Sequence, residues 1–233
     1  MFLSSTSDHN AQLYKQKLHR KVYFIDFNLA VVKEIFEFAS TVAYEDIQFI
    51  LESRTLNMAL AKEGMSGKYG LKVGYAINLD CNREVFGGDF LSYAMALTAA
   101  ASDARMAGCT LAAMSNSGSG NQGITVTMPV IAYSIRKGMN KEKLYRALVV
   151  SNLITIHIKN SIGKLSAFCG VVIAGAGCGA GVAYLDGGKE KEINHTIVNA
   201  LAIISGVICD GAKSSCAAKI ASSVEAGFLG YYM

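Results

Sequence analysis

The chain has 233 residues, 52% of them apolar, and a formal net charge of +4 at neutral pH. That length and apolar share support a packed core and exclude disorder as the main state. The excess charge gathers in Lys15, Lys17, His19, Arg20 and Lys21, which describes a local basic arm and excludes a nucleic-acid stripe.

The opening residues carry no charged region followed by an apolar stretch and a small-residue cleavage site, so the expected location is cytoplasmic. After a basic arm over residues 1–28, apolar periodicity predicts helices over 29–42, 44–63, 89–107, 129–137, 140–159, 163–185 with interruptions, 189–208 and 213–229. Residues 72–79 read as a short strand. Pro129 suits a first helical turn and Asn140 an N-cap. The expected fold class is mainly α: one compact helical domain over 29–233 with Gly-rich loops and a short strand or two.

Leu165 to Leu185 contains no charged residue, and as one continuous helix it would be long enough to cross a bilayer. The pairs Gly175/Gly179 and Gly177/Gly181 suit close helix packing, in a membrane or in a core. The core is the preferred reading, because no other segment is comparably long and free of charge.

Residues 115–123 read SNSGSGNQG, and Gly118, Gly120 and Gly123 fit the G-x-G-x-x-G spacing of dinucleotide loops. That fingerprint needs a strand before the loop and an acidic residue ending a second strand about 20 residues later. The preceding ARMAGCTLAAM is rich in helix formers, and Glu142 falls inside an expected helix. Ile124 stands where a phosphate loop needs lysine. The nucleotide reading fails. What remains is a loop of hydrogen-bonding groups, Ser115, Asn116, Ser117, Ser119, Asn121 and Gln122, whose backbone amides can cradle a carboxylate. A polar turn between two helices is the plainer alternative.

Six cysteines in a chain of this size make no disulfide framework; in a reducing compartment they are core thiols, metal ligands or catalytic groups. Cys81, Cys109 and Cys178 are expected in the core. For Cys209 and Cys216 the residues alone leave both readings open.

Four separated motifs, ASDARMAG at 101–108, MSNSGSGNQGITVTMPV at 114–130, HIKNSIGKLSAFCG at 157–170 and GVICDGAKSSCAAKIASS at 206–223, resemble the Fe–S-dependent L-cysteine desulfidases, relatives of the α-chain domain of L-serine dehydratases. The resemblance runs in order from about Leu56 onward. It implies a [4Fe-4S] cluster on Cys169, Cys209 and Cys216, with one iron left open as a Lewis acid. It also implies elimination of sulfide from L-cysteine to give pyruvate and ammonia, or of water from L-serine, with Ser115 to Gln122 holding the small amino-acid substrate. Two cysteines seven apart on one straight helix would be separated by about 10 Å of rise. Asp210-Gly211 offers a break that sets Cys209 at a helix end and Cys216 in or near the next first turn. Lys159, Lys164, Asp210 and Lys213 lie in the same motifs and are candidates for contacts around the site, against plain surface solvation. His157 reads as a core histidine.

Members of that family are longer and carry a C-T-E-P motif whose cysteine is the expected proton acceptor. No such motif occurs here, so the catalytic base stays unassigned and the chain reads as the C-terminal, cluster-bearing part. Three readings compete: a lyase half working with a separate N-terminal chain, a non-catalytic remnant, and a small membrane protein built on 165–185, the least favoured of the three. The expected partners are the substrate, that separate chain and further copies in a homo-oligomer; nucleic acid and membrane are not among them.

Overall fold

The computed structural model describes residues 28–163 and 166–233. Apart from Asn28, the basic arm lies outside the described residues, as does Lys164. Helix α1 spans Leu29–Thr41, and Asn28 caps it by accepting the Ala30 N–H at 3.1 Å. Next come a single turn, α2 (Tyr44–Ile47), a 3-10 turn (Gln48–Leu51) and α3 (Glu52–Gly64), so the one helix expected over 44–63 is broken. Two short helices, α4 (Val73–Asn78) and α5 (Arg83–Phe86), precede α6 (Phe90–Met106), which Asp89 caps through the Ser92 N–H at 2.9 Å. The remaining helices are α7 (Gly120–Arg136), α8 (Lys141–Ile162), α9 (Gly170–Leu185), α10 (Glu190–Ile203) and α11 (Cys216–Tyr232). Asn140 caps α8 as expected, its Oδ1 accepting the Lys143 N–H at 2.8 Å.

Two helices of small residues form the centre. Helix α9 is enclosed by α7, α8, α10 and α11, while α6 is enclosed by α3, α4, α7 and α11. Residues 171–183 of α9 and 94–104 of α6 are buried without interruption. Close approach explains the glycines. A β-carbon at Gly179 would stand 2.5 Å from the Gly227 carbonyl oxygen, and one at Gly181 would stand 2.9 Å from both Ser151 Cβ and Val130 Cγ2. The glycine pairs therefore serve helix contacts on opposite sides of α9.

The fold class is the mainly α one expected, with three corrections. The segment 72–79 is helical at Val73–Asn78, because Gly74 presses on α6 and the buried Asp103 carboxylate accepts its N–H at 3.0 Å. Among the described residues there is no strand, only the isolated antiparallel bridges Asn116–Ser119 and Phe168–Ile208. Pro129 sits inside α7, which begins nine residues before it; burial of 120–134 on all sides outweighs the proline and the β-branched run ITVT. Helix α9 begins at Gly170 and has 16 residues, about 24 Å of rise, against about 30 Å of bilayer hydrocarbon. Among the described residues no helix is long and apolar enough to cross a membrane.

Candidate functional site

The glycine loop is a tight turn leading into α7. Asn116 and Ser119 exchange backbone hydrogen bonds at 3.1 and 2.9 Å, with Ser117 at φ 50° and Gly118 at φ 78° between them. Two consecutive left-handed residues make a type I′ turn, a conformation Gly118 adopts without strain. Ser119 then caps α7, its Oγ accepting the Gln122 N–H at 3.3 Å.

The six loop residues divide into two groups. Asn116 is tied to Asn152 by Nδ2–Oδ1 at 2.9 Å, Asn121 accepts from Arg105 Nη1 at 3.1 Å, and Ser119 is the cap, so these three are committed to the scaffold. Ser115 and Ser117 are exposed. Gln122 is 6% exposed, and its Oε1 finds no hydrogen-bond partner. Buried polar atoms are almost always paired, so an orphaned acceptor here is informative. Ser115, Asn116 and Ser117 also line a cavity of about 430 Å³ with Phe49, Ile50 and Asn152, and no thiol reaches it.

The thiols gather at one end of the bundle. Around the Phe168–Ile208 bridge, the Cys169 N–H donates to the Val207 carbonyl at 3.0 Å and the Cys209 N–H to the Ala167 carbonyl at 2.7 Å. Cys169 immediately precedes α9, and Cys216 is the first residue of α11. These helices run parallel. Gly175 abuts Ser223 and Gly179 abuts Gly227, the same offset of 48 residues, which sets Cys169 level with Ala217 and beside Cys216. Cys209 lies in the connecting loop, six residues beyond α10 instead of at a helix end. Cys169 and Cys216 are buried and Cys209 is exposed. The three share one electrostatic neighbourhood: burial pushes the Cys169 thiol up, Cys209 and Cys216 add to that, and Lys219 opposes it.

Sulfur and cation contacts complete this end. The Lys213 N–H points at Cys216 Sγ, 3.5 Å away, a helix-start amide facing a thiol. Asp210 is bound by Lys219 and by Lys213, which hold its carboxyl down to about 2. Lys159 is half-buried. Among the described residues no group of three His, Cys, Asp or Glu side chains is arranged to hold a metal ion. The three side chains are soft thiols, the donor type that iron–sulfur groups take, two of them at helix N-termini and with the nearby carboxylate paired to ammonium groups.

The loop and the thiols meet at one contact. A β-carbon at Gly170 would stand 2.7 Å from Gln122 Cδ, so the Gln122 amide lies against the residue that follows Cys169. Of the remaining cysteines, Cys178 is in the core, where burial pushes its thiol up to about 12, and Cys109 is half-buried. Cys81 is exposed, contrary to expectation, because it lies in a short 3-10 turn at the surface. Sequence reasoning missed Asn57, Arg105, Asn152 and Lys219. Asn57 had a signal, a lone amide in the apolar run TLNMALA, while Arg105 and Lys219 sit inside the quoted motifs.

A family model described as serine dehydratase alpha chain matches residues 7–233. Among curated proteins the chain is 54% identical over 209 residues to a UPF0597 protein of Desulfitobacterium hafniense strain Y51, covering 89% of this chain and 47% of that one. It is 50% identical over 206 residues to a UPF0597 protein of Lachnoclostridium phytofermentans, covering 88% and 48%. With UPF0597 protein YhaM of Escherichia coli strain K12 / DH10B it shares 46% over 195 residues, 84% and 45% of the two chains. The chain thus spans about half the length of the curated relatives it matches. No solved structure matches it at a significant level.

Proposed function

Because this chain belongs to the serine dehydratase alpha chain family, we propose that it is the cluster-bearing part of a lyase that removes the β-substituent of a small α-amino acid, sulfide from L-cysteine. The observation that carries this reading is the parallel pairing of α9 with α11, which brings Cys169 beside Cys216 while Gln122 rests on Gly170. Cys169, Cys209 and Cys216 are the ligands. A [4Fe-4S] cluster held by three thiolates keeps one iron without a protein ligand and supplies a Lewis acid for the departing β-substituent.

The chain's own residues bind and orient. The orphaned Gln122 Oε1 accepts from the substrate ammonium, and the exposed Ser115 hydroxyl donates to its carboxylate, while the Ser117 hydroxyl donates to Asn116 Oδ1 at 2.9 Å and holds the turn. Asn116, Ser119 and Asn121 act behind them, fixing the turn through Asn152, the helix cap and Arg105. The acceptor of the Cα proton is to be sought in the part of the longer relatives that lies outside the matched half. A reducing cytoplasm suits a site that must keep three thiols free.

The family description favours a second substrate, L-serine, bound by the same groups with water as the leaving group. The test is anaerobic reconstitution with iron and sulfide, followed by absorption spectroscopy and assays of sulfide and pyruvate from L-cysteine and of pyruvate from L-serine, each with and without a co-expressed N-terminal half of a longer relative. Cluster absorbance that survives the combined Cys169→Ser, Cys209→Ser and Cys216→Ser replacement would exclude the ligand set. Pyruvate from serine without sulfide from cysteine would select the dehydratase.

A further inference from the structure

The loop that carries Cys209 is exposed on both flanks of the cysteine, and few contacts hold it. Residues 208–213 are accessible to solvent throughout. Two backbone bonds of the Phe168–Ile208 bridge, from the Cys169 N–H to Val207 and from the Cys209 N–H to Ala167, tie it to the segment before α9, and the Cys216 thiol reaches the Gly211 carbonyl at 3.7 Å. A further tie is a side chain from the neighbouring helix. Lys219, one turn into α11, donates through Nζ to the Ile208 carbonyl oxygen at 3.0 Å and to Asp210 Oδ1. Its side chain is 23% exposed. It therefore grips the residues on either side of Cys209 at once.

We propose that Lys219 is the positioning residue of the Cys209 thiol, clamping the loop to α11 and so fixing the separation of Cys209 from Cys216. This rests on the ligand set given above. Three features support it. Lys219 and Cys216 share the first turn of one rigid helix, so whatever Lys219 holds is placed relative to Cys216. Bonds from an ammonium to a carbonyl and a carboxylate are stronger than neutral ones, and the partial burial of Lys219 reduces their screening. The Asp210 hydrogen bond raises the proton affinity of this ammonium, burial opposes it, and the thiols of Cys169 and Cys216 add a smaller upward push. A cation at that place offsets the charge of three thiolates. Lys213 reaches only the other oxygen of Asp210, is 58% exposed, and cannot replace the clamp.

The test uses the full chain, as purified and after anaerobic reconstitution. Lys219→Met keeps the length and removes the charge, Lys219→Arg keeps the charge, and Asp210→Asn removes one of the two acceptors. In the cluster-free protein, amide hydrogen exchange within 207–211 is expected to rise about tenfold in Lys219→Met, with the amides of α9 unchanged, and to recover in Lys219→Arg. Asp210→Asn should move the same amides in the same direction by less. In the reconstituted protein, loss of cluster absorbance to a chelator should accelerate about tenfold in Lys219→Met and be restored in Lys219→Arg. Unchanged exchange in Lys219→Met and in Asp210→Asn would overturn the clamp. If the native chain binds no iron, the ligand reading fails, while the exchange measurement still decides what Lys219 does to the loop.

Discussion

Gln122 lies against Gly170, with its Cδ 2.7 Å and its Cγ 3.2 Å from where a β-carbon at position 170 would stand. Real β-carbons do not approach at the shorter distance, so a β-carbon at 170 and the amide in this position exclude each other. Both contacts are with one side chain, which can rotate away. Gly170→Ala is expected to displace the amide and destabilise the fold by about 1–3 kcal/mol. In a Gln122→Ala background the same change should cost less, with a coupling of about 1 kcal/mol. Urea denaturation of the four proteins measures this cycle, and additive costs would mean the two residues do not touch.

Asn57 carries the loop from beneath. It is fully buried, accepts the Met114 N–H at 3.0 Å and donates to Thr127 Oγ1 at 2.8 Å. Removing it strands the Met114 donor, and an unsatisfied buried donor costs about 1–3 kcal/mol. Asn57→Ala should lower the denaturation midpoint and raise hydrogen exchange at the Met114 amide above that of neighbouring amides in α7. Substrate affinity should weaken with it, because residues 115–117 follow directly.

Asp89 gives a pH dependence whose sign follows from its cap. The Ser92 backbone N–H lowers its carboxyl below the ordinary value, with burial opposing. A carboxylate with a lowered folded pKa contributes stability above its unfolded pKa, about 3.9, and loses that contribution as pH falls through the folded value. The group is exposed and screened, so Asp89→Ala should cost about 0.5–1 kcal/mol at pH 7. The difference from the unsubstituted protein should hold down to about pH 5 and shrink below about pH 4. Denaturation at a series of pH values checks it; a difference that grows on acidification would contradict the cap.

Much of the scaffold was legible because local signals and packing agree. Asn140 and Asp89 cap the helices that begin after them, and the charge-free run ending at Leu185 is the buried central helix. The misses fall where tertiary contact overrides local preference. Residues 120–129 contain two glycines, β-branched residues and a proline, poor helix formers all, yet they form the first half of α7 because they are enclosed on every side. Residues 72–79 read as a strand by local pattern, but the contact of Gly74 with α6 and Asp103 makes Val73–Asn78 a helix. At the site, the motifs carried the cysteines and the loop, but no spacing rule links Gln122 to Gly170 or Lys219 to Ile208. Those pairs exist only once α7, α9 and α11 are packed.

The packing of α9 on α11 sets two opposed effects against each other. Alanine favours a helix over glycine by about 1 kcal/mol, so Gly179→Ala would stabilise an isolated helix. Here the added carbon would meet the Gly227 carbonyl oxygen at 2.5 Å, its carbon at 3.1 Å and Thr196 Cγ2 at 2.9 Å. Two of these are backbone atoms and cannot rotate away, so the helices must separate, at a cost of about 1–3 kcal/mol that exceeds the propensity gain. Gly206 is the control: nothing stands within 4 Å of its added carbon. Gly206→Ala should be neutral or stabilising by up to about 1 kcal/mol through the unfolded chain. Because Cys169 and Cys216 stand at the paired ends of the separated helices, Gly179→Ala should also reduce iron retained after reconstitution, whereas Gly206→Ala should not. Denaturation midpoints and iron per chain, measured on the same samples, decide both halves of the expectation.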